Sequence, residues 1–85
     1  MSKVIRMIRI LDKCVPSDAP TEIEEVTSQK GFHGVRVSGA TGGRAWSIDL
    51  YGGNFYLMRI EGLRDTDMRT PIGVVNFLRA HLLRP

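Results

Sequence analysis

Ala45–Glu61 reads AWSIDLYGGNFYLMRIE, two alternating apolar runs on either side of Gly52-Gly53. A two-residue loop with glycine at both positions suits a type I′ turn, which needs positive φ twice. That loop would pair Tyr51 with Asn54, so Leu50 faces Phe55, Ile48 faces Leu57 and Trp46 faces Arg59. Side chains alternate along a strand, so these six residues share one side of the sheet. Five of the six are apolar, which marks that side as the core face. The second face then holds Ser47, Asp49, Tyr51, Asn54, Tyr56, Met58 and Ile60.

The stretch before it, Phe32–Gly39 (FHGVRVSG), alternates as a third strand. A four-residue loop over 40–43 would set Val37 opposite Trp46, Val35 opposite Ile48 and His33 opposite Leu50. Phe32, Gly34, Arg36 and Ser38 join the second face, with Phe32 opposite Tyr51. After the hairpin, 62–69 (GLRDTDMR) is a charged loop. Thr70 is a good N-cap and Pro71 a good first residue for a helix over 71–83. Val74, Val75, Phe77, Leu78, His81 and Leu82 line one side of it, the natural cover for the core face. Ile72 and Leu83 fall outside that stripe, and Arg79 and Arg84 complement the dipole at its end.

The N-terminal third reads less cleanly. Lys3–Leu11 (KVIRMIRIL) has the residue types of a strand, yet its spacing also fits a helix with Val4, Ile8 and Leu11 on one side. The residue types favour the strand. Pro16, Ser17 and Asp18 make a loop. Asp18 could cap a short helix within 19–30, with Glu22, Glu24 and Glu25 near its positive end and Gly31 as its stop. Only Ile23 and Val26 would anchor that helix, so an extended acidic edge segment competes with it. The expected fold is α+β: a small antiparallel meander of three or four strands, with the C-terminal helix on one face and a short helix near residues 19–30.

The 85 residues suit one domain, and 42% hydrophobic with 25% charged residues is the balance of a folded chain rather than a disordered one. A net charge of +3 is mildly basic, compatible with nucleic acid without requiring it. The single cysteine, Cys14, excludes an internal disulfide. No apolar run approaches the ~20 residues of a membrane helix. The N-terminus lacks the apolar core and cleavage site of a secretory signal. A cytoplasmic protein that does not engage a membrane is the expectation.

Chemistry is sparse. His33 and His81 both fall on predicted apolar faces, where a satisfied core histidine is the commoner role. No Cys–His spacing suggests zinc, and nothing near Cys14 supplies a base. Asp65 and Asp67 form one D-x-D pair beside Arg64 and Arg69, a weak cation signal. Gly39–Gly43 (GATGG) joins strand to strand, whereas a phosphate cradle leads into a helix. Neither a catalytic centre, a cofactor nor a small-molecule substrate is implied.

The second sheet face remains. It is too apolar for a wet face, so the N-terminal element, a second copy or a ligand should cover part of it. Phe32, Arg36, Tyr51, Tyr56 and Met58 are its candidate binding residues, with Arg44, Arg6 and Arg9 as further cations. Aromatic, methionine and arginine side chains are the mixture of a protein interface. A binding module for a protein partner or for itself, as a homodimer or a small inhibitor, is therefore the first expectation. A single-stranded nucleic-acid binder is the alternative, stacking bases on Phe32, Tyr51 and Tyr56. Several strands followed by one C-terminal helix resembles a PUR-type repeat. With a helical N-terminus the order would be similar to a double-stranded-RNA-binding domain, although 70–74 (TPIGV) carries no basic motif at the start of the last helix. Neither resemblance carries over any site residue.

Overall fold

Gly42 and Gly43 take φ of 61° and 79°, the positive pair that a type I′ hairpin requires. They form a two-residue turn in the computed structural model, which describes residues 3–52 and 55–83. The turn joins β2 (His33–Thr41) to β3 (Arg44–Tyr51), with Thr41 opposite Arg44. The expected four-residue loop is thus two residues long, and the register moves by two: Val37 faces Ile48 and Val35 faces Leu50. An even shift keeps every side chain on its expected face, so Val37 is fully buried with Trp46, Ile48 and Leu50.

The next hairpin errs by one, and an odd shift inverts a strand. Tyr51 pairs with Phe55, so the connection to β4 (Phe55–Ile60) spans residues 52 to 54 rather than a Gly52-Gly53 turn; Gly53 and Asn54 lie outside the described residues. Trp46 faces Ile60, Ile48 faces Met58 and Leu50 faces Tyr56. Tyr56, Met58 and Ile60 are therefore core residues, while Phe55, Leu57 and Arg59 turn to the other face.

Two further strands flank these three. β1 (Glu22–Thr27) pairs with β2 along its whole length, and β5 (Thr66–Met68) pairs with β4, giving a five-stranded antiparallel sheet in the order β1-β2-β3-β4-β5. The short helix expected near residues 19–30 is thus an edge strand, the acidic extended segment that competed with it. Asp18 caps no helix; its Oδ2 accepts from the Gly43 N–H at 3.2 Å and ties the preceding loop to the tight turn. Ser17 adds two hydrogen bonds to the Ala40 backbone.

Lys3–Cys14 forms helix α1 and Pro71–Leu82 forms helix α2, so the N-terminal segment is helical although its residue types favour a strand. Alternation would have mixed arginine and isoleucine on both faces of a strand. Helical spacing instead gathers Val4, Met7, Ile8 and Leu11 on the inside and leaves Arg6, Arg9 and Lys13 in solvent. Burying a side chain such as Leu11 contributes about 1.5–3 kcal/mol, far more than intrinsic propensity. Helix α2 begins as expected: Thr70 accepts from the Gly73 N–H and Pro71 opens the first turn. Ile72 and Leu83 are exposed.

Both helices pack on the same face. Met7, Leu11 and Val15 meet Val74 and Leu78 over Val37, Trp46, Ile48, Leu50, Tyr56, Met58 and Ile60 in one core. The helical N-terminus also removes the strand-first order behind the PUR-type resemblance. No helix among the described residues is long and apolar enough to cross a membrane.

Candidate functional site: the open face of the sheet

With both helices on one side, the other side of the sheet has no covering layer among the described residues. Its side chains follow from the registers. One row runs Glu24, Arg36, Asp49, Leu57, Asp67 across all five strands. A neighbouring row runs Val26, Gly34, Tyr51, Phe55.

Asp49 sits at the middle of the first row and is fully buried. Two arginines account for it. Arg36 donates through Nε to Oδ1 at 2.6 Å and through Nη2 to Oδ2 at 3.0 Å, and Arg59 donates through Nη1 to Oδ2 at 2.9 Å. The outer carboxylates extend the lattice: Glu24 lies 3.6 Å from Arg36, and Asp65 accepts from Arg59 Nε at 3.1 Å. Burial pushes the Asp49 carboxyl up, but the hydrogen bonds from Arg36 and Arg59 outweigh it and hold the group below its ordinary value. The hydrogen bond to Asp49 in turn raises Arg36; at Arg59 burial acts downward and the Asp49 hydrogen bond overcomes it.

Beside this lattice the face dips into a concavity of about 850 Å³. Its apolar lining is Phe32, Tyr51, Phe55 and Leu57, and its cations are Lys30, Arg36, Arg59 and Arg69. The Tyr51 and Phe55 rings stand 6.0 Å apart at 37°, and the Arg69 guanidinium lies 5.0 Å above Phe55. The wall opposite comes from the β1–β2 connection, residues 27–30 with Phe32, whose side chain is largely exposed. Thr27, Ser28 and Gln29 also line it, so the concavity offers apolar, cationic and neutral polar contacts.

Of the residues singled out in the sequence, Phe32, Arg36 and Tyr51 meet in this concavity. Tyr56 and Met58 do not; they are 2% and 0% exposed in the core, because β4 is inverted relative to the expected hairpin. Arg44 acts elsewhere as a clamp, donating to the Glu61 carbonyl at 2.8 Å and the His81 carbonyl at 3.3 Å. Arg6 and Arg9 belong to α1, in the layer behind the sheet. Phe55, Leu57, Arg59, Arg69 and Lys30 were missed. A three-residue connection after Tyr51 puts Phe55, Leu57 and Arg59 on its face, and counting the loop that way was the one signal that could have found them.

The other candidates resolve structurally. His33 is exposed rather than in the core, with its ring 3.5 Å from Thr27 Oγ1, and His81 is half-buried against Phe77. Asp65 and Asp67 pair with Arg59 and Arg69. Among the described residues no three His, Cys, Asp or Glu side chains gather as a metal site. No protein-family model, curated protein or solved structure matches the chain.

Proposed function

We propose that this protein is a small non-catalytic binding module that holds another polypeptide through the open face of its sheet. The observation that carries this is the concavity itself: three aromatic rings and a leucine, ringed by arginine and lysine, on a face that no layer covers among the described residues. That composition matches the anchor region of a protein interface, where aromatic side chains and arginine concentrate.

Single-stranded nucleic acid is the second reading, favoured by the same rings with four cations beside them. The surrounding charge favours protein. Glu24 and Asp67 stand in the row that runs through Arg36 and Leu57, Asp65 pairs with Arg59, and Asp49 already engages both arginines. A sugar–phosphate backbone leaving the concavity would meet carboxylates, whereas a polypeptide carries charge only where its side chains place it.

A peptide-display selection on the immobilised chain tests the choice. Recovered peptides should bind the native chain and lose that binding to the Phe32→Ser and Tyr51→Ser variants. A labelled oligothymidylate bound at about 50 mM salt and released steeply by about 200 mM would overturn the protein reading.

A further inference from the structure

Resting on the polypeptide reading above, we infer that the concavity is an anchor for an acidic segment bearing an aromatic side chain. The guest ring lies against Tyr51, Phe55 and Phe32, and the flanking carboxylates reach Lys30 and Arg69.

The charge of the guest follows from which cations are already satisfied. All four charged side chains lining the concavity are cations. Arg36 and Arg59 are committed to Asp49 at hydrogen-bonding distance. Arg69 lies 5.0 Å above the Phe55 ring, and its one ion pair among the described residues is a long contact of 3.7 Å to Asp67, with both side chains well exposed. Exposed pairs of that kind are weak and readily exchanged. Lys30 forms no ion pair among the described residues. Lys30 lies on the β1–β2 connection beside Phe32 and Arg69 just beyond β5, while the Tyr51 and Phe55 rings, on β3 and β4, lie between those two ends of the sheet. A guest with carboxylates on both sides of one apolar group matches that order.

The chemistry of the apolar group follows from the rings. Tyr51 is held in place, its ring against Gly34 and its hydroxyl 3.5 Å from Asp49 Oδ2. Phe55 is tilted against it. Such a pair receives a third ring in an offset or edge-on contact, worth more than the area alone. The volume of about 850 Å³ exceeds one side chain, so the residues flanking the ring enter as well.

The test is an amide-shift titration of the full chain with two end-capped tripeptides, tryptophan between two glutamates and tryptophan between two lysines. Saturable shifts are expected at Lys30, Phe32, Tyr51, Phe55 and Arg69. The acidic peptide should bind about three- to tenfold more tightly, a margin that salt reduces. Lys30→Glu, a change on an exposed turn residue, should shrink or reverse that margin while leaving the amide spectrum of the core intact. Equal affinity for the two peptides at these residues would overturn the acidic specificity and leave the binding-module reading standing. No shifts with either peptide, with shifts at the same amides from an oligothymidylate, would overturn both.

Discussion

The ring of Tyr51 lies over Gly34 on the neighbouring strand, so close that a Cβ on Gly34 would stand 2.6 Å from its Cδ1 and 2.7 Å from the Leu50 carbonyl oxygen. The Leu50 oxygen belongs to the sheet backbone and cannot give way. Gly34→Ala should therefore destabilise the chain by about 1–3 kcal/mol, the cost of overpacking. It should also displace the floor of the concavity. Urea midpoints measure the first effect, and Tyr51 ring shifts the second. An alanine variant as stable as the native chain would show that β2 and β3 lie farther apart than this contact requires.

Asp49 makes the open face sensitive to acid. Its folded pKa lies below the unfolded value, about 3.9, so the unfolded chain takes up the proton first as pH falls. Its contribution is complete above that value and is lost as pH drops through the lower, folded one. Urea midpoints from neutral pH to about 2 should show this arm in the native chain, and Asp49→Asn should flatten it. Removing one partner of a buried pair costs about 3–5 kcal/mol, and solvent at the two half-exposed guanidiniums reduces the expectation here to about 2–3 kcal/mol. Identical acid limbs in the two proteins would mean that the lattice carries no folding energy.

Trp46 is the only tryptophan and is buried, with its indole N–H donating to Thr41 Oγ1 at 3.0 Å. The Thr41 hydroxyl in turn donates to the Pro16 carbonyl at 2.8 Å, which ties the segment after α1 to the hairpin. Thr41→Val keeps the shape and leaves the indole without an acceptor, at a cost of about 1–3 kcal/mol. Thr41→Ser keeps the acceptor and should lose about 1 kcal/mol or less. Trp46 fluorescence reports both unfolding curves directly. Equal losses for valine and serine would assign the effect to the missing methyl rather than the hydrogen bond.

What the sequence shows of this fold depends on how each element is buried. Trp46, Ile48 and Leu50 read correctly as core because β3 is central and alternates cleanly; α2 reads correctly because Thr70 and Pro71 mark its start and its stripe is wide. β1 is an edge strand with solvent on both sides, so Ile23 and Val26 give it too little pattern to be told from a helix. β5 is three residues long, below the reach of any periodicity. For α1 the β-branched residues argue one way and their spacing another, and spacing decides because the apolar stripe is what the core buries. The site inherits these limits. Phe32, Arg36 and Tyr51 lie on strands or turns whose facing was legible, while Phe55, Leu57 and Arg59 depend on the length of one connection.

That connection can be tested by stability alone, because the two possible facings of β4 exchange the roles of adjacent residues. In the observed register Met58 is fully buried against the helices and Leu57 is half-buried in the concavity. Met58→Ala should cost about 2–5 kcal/mol, the range for emptying a core position. Leu57→Ala should cost about 1 kcal/mol or less, since the side chain already meets water. The ranking reverses if Leu50 faces Phe55, because Leu57 would then enter the core. A second readout joins fold to function: Leu57→Ala should weaken the aromatic peptide in the titration, while Met58→Ala, where still folded, should leave that affinity near the native value. The same odd-numbered step that moves Tyr56 and Met58 inward thus supplies the floor of the concavity, and one pair of alanine variants tests both.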